Sequence, residues 1–391
     1  MKVLMYSHDS FGLGHLRRTL ALAEALIEKE PANNVLILTG STISGAYRMS
    51  KGIDLVKLPS AIKVGEGKYE SSRLSVEADS LIRLRSRLIL GAAQAFEPDA
   101  FVVDKAPLGM KSEVEAALEH LREERPETLT VLGLRDVMDD PADVRQSWRK
   151  SRMQDAIERF YDRILVYGPR EIYDPLPEYG LSPETLDRSS YVGYVGKARS
   201  RGSAPAAPFE PGYALVTAGG GGDGYLLLES YLEGLKLSEP DFDSLVVTGP
   251  LMEEEDRLRL EQLAKGTRSR IIEFHADMEA LIEDAGPVVA MGGYNTTIEL
   301  LAAGKPAIIV PRIEPRIEQL IRAERLQALG LLDMIHPQDL TPSRLRGKVE
   351  EIMARRRDSN LRVHVDLSGA PRAAALIHAG VRDKQTLTLS A

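Results

Sequence analysis

Cysteine is absent from the 391 residues of the sequence, which excludes disulfides, thiolate nucleophiles and cysteine-ligated metal sites. Histidine is also scarce, and none of the seven histidines shows the H-x-x-x-H spacing by which a helix holds a metal ion. We therefore expect a protein without a bound metal.

The sequence also lacks a net positive charge and long apolar runs. The formal net charge of −8 and a pI of about 5.6 argue against nucleic acid as a partner. The N-terminal apolar run is too short for a signal peptide or a membrane span, and no later window is long and uncharged enough. We expect a cytoplasmic protein without a transmembrane segment.

Two domains are expected because 391 residues exceed the usual size of one hydrophobic core. Residues 199–208 are rich in small residues and proline, which is typical of a linker. On either side of it the chain starts with an apolar strand, a glycine-containing loop and a helix. We predict α/β architecture with two Rossmann-like doubly wound domains, residues 1–198 and 209–365, and a C-terminal helix and tail at residues 366–391.

The first glycine-containing loop ends in a histidine. Gly12 and Gly14 do not complete a G-x-G-x-x-G, because arginine stands where the third glycine would be, so a dinucleotide fingerprint is not expected. His15 has an ordinary pKa near ~6.5, which suits a general base. A structural role, or contact with a donor phosphate, is the alternative for this residue.

Charged residues end two further strands of the first half. Asp104 follows one apolar strand, and Arg135 and Asp136 follow the next. Ligands of open α/β sheets lie beyond the carboxyl ends of the strands, so we predict that these side chains lie near His15 on the acceptor side of a site. Mutual ion pairing or helix capping is the alternative.

Two other stretches of the first half have an unusual composition. Residues 62–72 are rich in glycine and charge and predict a mobile loop. Residues 81–90 intersperse arginines with apolar residues and predict a helix with a buried apolar stripe and a solvated basic face. The alternative is a face for peripheral contact with a membrane surface or an anionic acceptor.

Four consecutive glycines, residues 219–222, follow the first strand of the second half. Such a run has a high entropic cost unless positive φ or close backbone approach is needed. A ligand that presses on the backbone is the expected reason, and a pyrophosphate is the expected ligand. The loop is not a P-loop, because no Gly-Lys-Ser/Thr follows.

Residues 291–311 are the most informative stretch of the chain. An apolar strand leads through a Gly-Gly turn into a helix whose first turn carries Asn295 and Thr296. The first N–H groups of a helix lack internal partners and the helix dipole adds positive potential, so this turn predicts a phosphate site. Glu299 can accept hydrogen bonds from two ribose hydroxyls. The alternative is a plain strand–helix–strand unit in which Asn295 or Thr296 only caps the helix.

These motifs resemble, in order and spacing, the donor half of glycosyltransferase family 28. The resemblance is carried by residues 273–278, residues 292–306 and the pair Glu318-Gln319, and it covers most of residues 210–345. It implies the GT-B fold, in which two Rossmann-like domains face a cleft and the chain end often crosses back to the first domain. It also implies a UDP-sugar as co-substrate and no cofactor.

The resemblance further implies residue roles. Phe274 and Met278 would flank the uracil, and Glu299 would bind the ribose. Glu318 and Gln319 would form hydrogen bonds with the sugar hydroxyls. The helix amides, the glycine loop and a lysine would bind the pyrophosphate. The predicted donor-binding residues are Gly14, Lys197, Gly219, Gly220, Gly221, Gly222, Phe274, Met278, Gly293, Tyr294, Asn295, Thr296, Glu299, Glu318 and Gln319.

Two departures from the family pattern stand within this set. Lys197 occupies a position where the family usually has arginine, a change that keeps the charge but loses bidentate geometry. Glycine also replaces the usual serine of the glycine loop, so that loop offers no hydroxyl to a phosphate.

On this basis we expect inverting, metal-independent transfer of a hexose or N-acetylhexosamine from a UDP-sugar to an acceptor hydroxyl, with His15 as base. The acceptor stays open. The loop from Gly12 to Arg18 also resembles that of the UDP-sugar hydrolase of pseudaminic acid synthesis, in which His15 would activate water. A non-catalytic sugar-nucleotide-binding protein is the third interpretation. A UDP-sugar 2-epimerase shares the fold, but no additional carboxylate cluster supports it.

Overall fold

The structure is a computed structural model that describes residues 1–8, 14–42, 44–46, 49–65, 68–196, 207–238, 240–275, 277–355 and 365–389. The chain forms two compact units, Met1–Ala198 together with Asp366–Ala391, and Arg199–Val365. Residues 199–206 of the predicted linker lie outside the described residues, as does Lys197.

Strands and helices alternate through both units. The strands are β1 (Lys2–Ser7), β2 (Asn34–Thr39), β3 (Ile53–Lys57), β4 (Ala61–Gly65), β5 (Lys68–Ser71), β6 (Ala100–Asp104), β7 (Leu129–Arg135), β8 (Arg163–Tyr167), β9 (Ser189–Tyr191), β10 (Ala214–Thr217), β11 (Ser244–Val247), β12 (Ser269–Ile272), β13 (Val288–Ala290), β14 (Ala307–Ile309) and β15 (Asp333–Met334). The helices are α1 (Gly14–Lys29), α2 (Ala78–Phe96), α3 (Glu115–Glu124), α4 (Pro141–Lys150), α5 (Met153–Phe160), α6 (Pro175–Glu178), α7 (Pro183–Asp187), α8 (Tyr225–Leu237), α9 (Glu254–Ala264), α10 (Met278–Asp284), α11 (Tyr294–Ala303), α12 (Glu318–Ala328), α13 (Pro342–Arg355) and α14 (Gly369–Leu389).

The first unit is built on a seven-stranded parallel sheet in the order β3-β2-β1-β6-β7-β8-β9. Its central strands are continuous apolar runs because helices cover both faces, and all five residues of β6 are buried. The strand order changes direction between β1 and β6. Loops on either side of this switch point leave the sheet in opposite directions and open a crevice for ligands.

Helix α14 completes the first unit, packing against α1, β7 and β8. Its small side chains allow close approach, and Gly380 lies where a Cβ atom would be 2.9 Å from Leu129. Lys384 donates to the Thr128 carbonyl at 2.9 Å and pairs with Asp162. The last helix of the chain is thus joined to strands that precede the second unit in sequence.

The second unit repeats the architecture on a smaller scale. Its six parallel strands run in the order β12-β11-β10-β13-β14-β15, with the switch point between β10 and β13. Helices α8 and α13 pack on each other, and the core fills the space between them and the sheet. The predicted α/β class with two Rossmann-like domains is confirmed.

The predicted loop at residues 62–72 is wrong for its described parts. Strands β4 and β5 pair there as an antiparallel hairpin, with Ala61 opposite Ser71. Ala61 and Tyr69 pack against Leu81 and Met110 of the first unit. This burial stabilises a hairpin that the glycine and charge content of the segment does not suggest.

The basic stretch, residues 81–90, lies on α2 as expected, but one of its arginines does not face solvent. Arg85 is fully buried in the stripe formed with Leu81 and Ile89. The carboxylate of Glu113 accepts from Arg85 Nε and Nη2 at 2.6 and 2.7 Å, and the Pro59 carbonyl accepts from Nη1. A buried charge is tolerated only with such partners, so the expectation of a solvated face is wrong for Arg85.

Candidate active site

Three charged or titratable side chains meet at the switch point of the first unit. Asp104 ends β6, and α1 begins at Gly14, so that His15 and Arg18 lie one turn apart on the same helix face. His15 Nδ1 is 2.5 Å from Asp104 Oδ2. Arg18 donates from Nε and Nη2 to the same carboxylate at 2.7–3.0 Å. The structure therefore brings together two of the residues that the sequence singles out, His15 and Asp104.

The contacts define the tautomer of His15. An ionised carboxylate only accepts hydrogen bonds, so the short contact with Asp104 requires the proton on Nδ1. Arg18 Nη2 lies 3.0 Å from this nitrogen, but it cannot donate to a protonated nitrogen and donates to the carboxylate instead. Nε2 then carries the lone pair, which is what a general base needs.

Burial sets the charge of this cluster. Burial lowers the pKa of His15 to about 3, because loss of hydration disfavours the imidazolium more than the Asp104 carboxylate favours it, while Lys105 and Arg18 add repulsion. Burial would raise the pKa of Asp104, but Arg18 and His15 outweigh it and hold that pKa well below its usual range. At neutral pH the cluster thus consists of a neutral imidazole, a carboxylate and a guanidinium.

Arg18 belongs to this cluster, although the sequence interpretation gave it no role of its own. Its guanidinium is buried, lies 5.6 Å from the centre of the Tyr167 ring and compensates the charge of Asp104. The signal was present, since His15 and Arg18 have the i, i+3 spacing that places two side chains on one helix face. Without Arg18, the buried carboxylate would lose the guanidinium that compensates its charge.

A second buried network lies behind His15. The ring of His8 is 5.7 Å from that of His15, and burial lowers the pKa of His8 well below its usual value. The Tyr6 hydroxyl lies 3.4 Å from His8 Nδ1 and donates to Glu113 at 2.6 Å. Glu113 in turn binds Arg85 of α2. The network connects the interior of the sheet to the histidine pair.

The other acceptor-side candidates have structural partners. Asp136 is buried, accepts from the Val137 N–H at 2.8 Å and lies 3.4 Å from the Tyr194 hydroxyl. Gly168 packs so closely on it that a Cβ atom would be 2.6 Å from Asp136 Cβ. Arg135, the last residue of β7, is half-buried. Asp136 thus has hydrogen-bond partners within the first unit, and a place for Asp136 and Arg135 on the acceptor side stays a prediction.

The glycine loop of the second unit starts at the carboxyl end of β10. Gly219 and Gly221 have φ values of +64° and +96°. A Cβ atom on Gly221 would lie 2.5 Å from the Thr248 carbonyl oxygen, and one on Gly249 would lie 2.5 Å from that of Gly219. Packing between two loops therefore already requires Gly221, without a ligand. Gly219 and Gly222 are exposed, and Gly220 is half-buried.

The second element at this switch point is the first turn of α11. Gly293 is its N-cap and has no side chain with which to cap the helix. The first N–H groups of a helix point out of its end. Thr296 is next to the glycine loop, since a Cβ atom on Gly219 would be 4.0 Å from Thr296 Oγ1. Asn295 and Glu299 are half-buried, whereas Tyr294 is buried. The arrangement offers backbone amides and positive dipole potential to an anion.

The predicted base-binding residues lie after the edge strand β12. Phe274 is 57% exposed, which is unusual for an aromatic side chain, and Met278 is the half-buried first residue of α10. Asp277 caps α10 by accepting from the Ala280 N–H at 3.0 Å. An exposed aromatic ring next to a fixed helix end can stack on a base.

Glu318 and Gln319, predicted to read the sugar, are buried at the start of α12 and both bind Arg312. Arg312 Nη2 donates to Glu318 at 2.6 Å, and the Arg312 N–H donates to Gln319 Oε1 at 3.0 Å. Arg312 Nη1 also donates to Asp223, which follows the glycine loop, at 3.1 Å. Sequence reasoning missed Arg312 and Asp223, although Arg312 follows β14 as Asp104 ends β6.

The described residues contain neither a metal-binding cluster nor a membrane-spanning helix. No group of three or more His, Asp or Glu side chains in the described part of the chain could hold a metal ion. Among the same residues, none of the helices combines the length and the apolar character needed to cross a membrane.

Solved structures share this architecture. The glycotransferase of kitacinnamycin superposes with a TM-score of 0.65 at 19% identity, over 97% of this chain and 98% of that one. The putative UDP-N-acetylglucosamine 2-epimerase of Listeria monocytogenes gives 0.66 at 14% identity, over 98% and 96%. Such low identities establish the fold alone. The protein belongs to the class with the GT-B fold.

Sequence comparison matches most of the second unit to a family. Residues 221–374 match the Glycosyltransferase family 28 C-terminal domain. The UDP-N-acetylglucosamine--N-acetylmuramyl-(pentapeptide) pyrophosphoryl-undecaprenol N-acetylglucosamine transferase of Glaesserella parasuis is 39% identical over 22% of this chain and 24% of its own length. The alignment with the transferase of the same name from Corynebacterium efficiens spans 23% of that protein, so about a quarter of these curated relatives is matched. The resemblance to family 28 is confirmed for this part of the chain.

Proposed function

We propose that the protein is a glycosyltransferase that transfers a hexose or N-acetylhexosamine from a UDP-sugar to an acceptor hydroxyl, with inversion and without metal. The observation that carries this proposal is the neutral His15, held by Asp104 in the tautomer of a base, in a chain whose residues 221–374 match the family 28 C-terminal domain. Neither feature alone would define a transferase.

The second unit supports donor binding. The first amides of α11 and the exposed glycines of the neighbouring loop would bind the diphosphate, and Glu299 would accept from the ribose. These groups would stabilise the negative charge that develops on the departing diphosphate, which removes the need for a metal. Phe274 would stack on the uracil.

The first unit supports activation of the acceptor. His15 Nε2 would take the proton of the acceptor hydroxyl while its oxygen forms a bond to the anomeric carbon and the bond from that carbon to the diphosphate breaks. Asp104 would stabilise the imidazolium that results, and UDP would leave. One displacement inverts the anomeric centre.

Hydrolysis of the UDP-sugar is the second candidate, because the same base could activate water. It is favoured by one observation, the bond from Arg18 to Asp104, since Arg18 belongs to the loop pattern that resembles the UDP-sugar hydrolase. The two functions share every residue of the cluster and differ in the nucleophile.

The acceptor side suggests a membrane location for the substrate. The exposed face of α2 carries Arg83 and Arg87 together with Leu84 and Leu88, which are 41% and 38% exposed. Such a face suits peripheral contact with an anionic membrane surface. A lipid-linked acceptor, such as the pyrophosphoryl-undecaprenol in the name of the Glaesserella parasuis transferase, would be reached there. A cytoplasmic location stays a prediction from the sequence.

The test is release of UDP from a panel of UDP-sugars, with and without candidate acceptors, by the native protein and by His15→Ala. A transferase releases UDP rapidly only with an acceptor and yields an inverted product. Rapid His15-dependent release of free sugar without acceptor would replace the proposal by hydrolysis. Binding without any release would indicate a sugar-nucleotide-binding protein. His120→Ala, on α3, serves as the matched control.

A further inference from the structure

Arg312 stands at the point where three loops of the second unit come together. It follows β14, its partner Asp223 follows the glycine loop after β10, and its partner Glu318 begins α12. Strands β10, β13 and β14 are neighbours in the sheet, so these residues lie at the same carboxyl edge as the first turn of α11.

The two ion pairs of Arg312 differ in character. The Glu318 carboxylate is buried and only 2.6 Å from Arg312 Nη2, so it holds one side of the guanidinium firmly. Asp223 is 43% exposed and accepts from Nη1 at 3.1 Å. Exposed pairs of this kind contribute little stability, so Arg312 can leave Asp223 while it stays bound to Glu318.

One donor of Arg312 is unused. Its Nε–H is buried and has no hydrogen-bond partner among the described residues, although a guanidinium can donate five hydrogen bonds. One oxygen of Glu318, Oε2, is buried without a partner as well. Nε and Nη2 share one edge of a guanidinium, so both unsatisfied atoms belong to the Arg312–Glu318 pair, which keeps the capacity for one more hydrogen bond when Nη1 changes partner.

The local charge favours an anionic ligand only if Arg312 changes partner. Asp223 and Glu318 together carry two negative charges against the single positive charge of Arg312. A diphosphate next to the glycine loop would be repelled by the exposed Asp223 while that carboxylate holds Nη1. If Nη1 turns to the phosphate, Asp223 is released to solvent and the anion gains a charged donor.

We propose that Arg312 is a diphosphate-binding residue of the donor site, held by Asp223 in the empty site and transferred to the distal phosphate when the nucleotide binds. The proposal rests on the proposed function, because it takes a UDP-sugar as the ligand. It assigns Glu318 a part in positioning Arg312.

The experiment compares uridine, UMP and UDP by calorimetry, since these ligands differ only in phosphate number. Arg312→Gln keeps a donor for Glu318 but removes the charge. It should weaken UDP binding about 10- to 100-fold, the effect of losing a charged hydrogen bond, and leave UMP within about twofold. Arg268→Gln is the control, because Arg268 pairs with Asp243 at the amino edge of the same sheet.

Asp223→Asn provides a variant that keeps the buried pair intact. It should tighten UDP binding about two- to fivefold, because Arg312 no longer has to leave a carboxylate. This gain should vanish in the double variant Asp223→Asn with Arg312→Gln. If the double variant still binds UDP more tightly than Arg312→Gln alone, the effect comes from electrostatic repulsion between Asp223 and the diphosphate. The proposal is then wrong.

The remaining outcomes separate this inference from the proposed function. Equal losses for UMP and UDP in Arg312→Gln would show a structural role and overturn the inference alone. If Arg312→Gln weakened binding of UDP-glucuronate and left binding of UDP unchanged, Arg312 would bind a sugar carboxylate, and the inference would again be overturned. Absence of UDP binding by the native protein would overturn both.

Discussion

The switch points of the two units have the same topology and different chemistry. In the first unit, side chains converge on a buried carboxylate, with His15 and Arg18 both bound to Asp104. In the second unit, glycines and the first turn of α11, whose N-cap is a glycine, present backbone groups. A site made of side chains suits proton transfer, whereas a site made of amides suits an anion. Under the proposed function, the comparison teaches that one fold divides proton transfer and anion binding between its two halves.

The largest effect is expected from removal of the titrating side chain of the first unit. His15→Ala should lower turnover about 10²- to 10⁴-fold, the usual contribution of a general base, and leave UDP binding nearly unchanged. Steady-state kinetics and calorimetry on the same variant measure the two quantities. Normal turnover would remove His15 as the base and break the proposed division of tasks.

Acid should act on the first unit through the same residue. The pKa of His15 is about 3 in the folded chain and near 6.5 when unfolded, so between these values the unfolded chain binds more protons. The free energy of unfolding should fall as the pH is lowered from 6.5 towards 3, by roughly 1.4 kcal/mol per pH unit. Asp104, whose pKa is also lowered, adds a loss of the same sign at the acid end.

Urea unfolding at pH 7, 6, 5 and 4 measures this slope. His15→Gln should reduce it without abolishing it, because burial also lowers the pKa of His8 and gives a contribution of the same sign. An unchanged slope in His15→Gln would show that other groups account for the acid sensitivity.

The glycine loop of the second unit should be sensitive to added atoms rather than to lost charge. Gly221→Ala places a Cβ atom 2.5 Å from the Thr248 carbonyl oxygen at a φ of +96°, and should destabilise the fold by roughly 2–4 kcal/mol. Gly222→Ala is the matched control, since Gly222 is exposed and is not among the glycines with positive φ. Equal melting temperatures for both variants would contradict the loop packing.

The smallest effect is expected from a single side chain of the donor site. Glu299→Ala should weaken UDP binding by roughly 1.5–3 kcal/mol, the value of a lost hydrogen bond to a charged group. Calorimetry with UDP and with free pyrophosphate tests the assignment, because only UDP has a ribose. Unchanged UDP affinity would remove Glu299 from the ribose site.

Sequence alone predicts much of the fold, because apolar strands that alternate with helices define a doubly wound sheet. It also singles out His15 and Asp104 separately, since both stand at the ends of apolar strands or loops. It does not pair them, because that contact joins positions 89 residues apart. The hairpin β4–β5 and the burial of Arg85 were missed for the same reason, since distant packing partners stabilise both. Arg312 went unnoticed because its partners come from two other loops.

Helix α14 has a consequence for the order in which the chain folds during synthesis. Its buried residues Ala373, Ala374, Ile377 and Val381 pack on a unit whose other elements end at residue 198. A ribosome therefore makes the whole second unit before the first one receives its last helix. The second unit is continuous in sequence and can form its sheet during this interval. The apolar surface of the first unit that α14 covers stays exposed to solvent until α14 has been synthesised. Chaperones that bind nascent chains would find their target on the first unit until the last residues of α14 emerge.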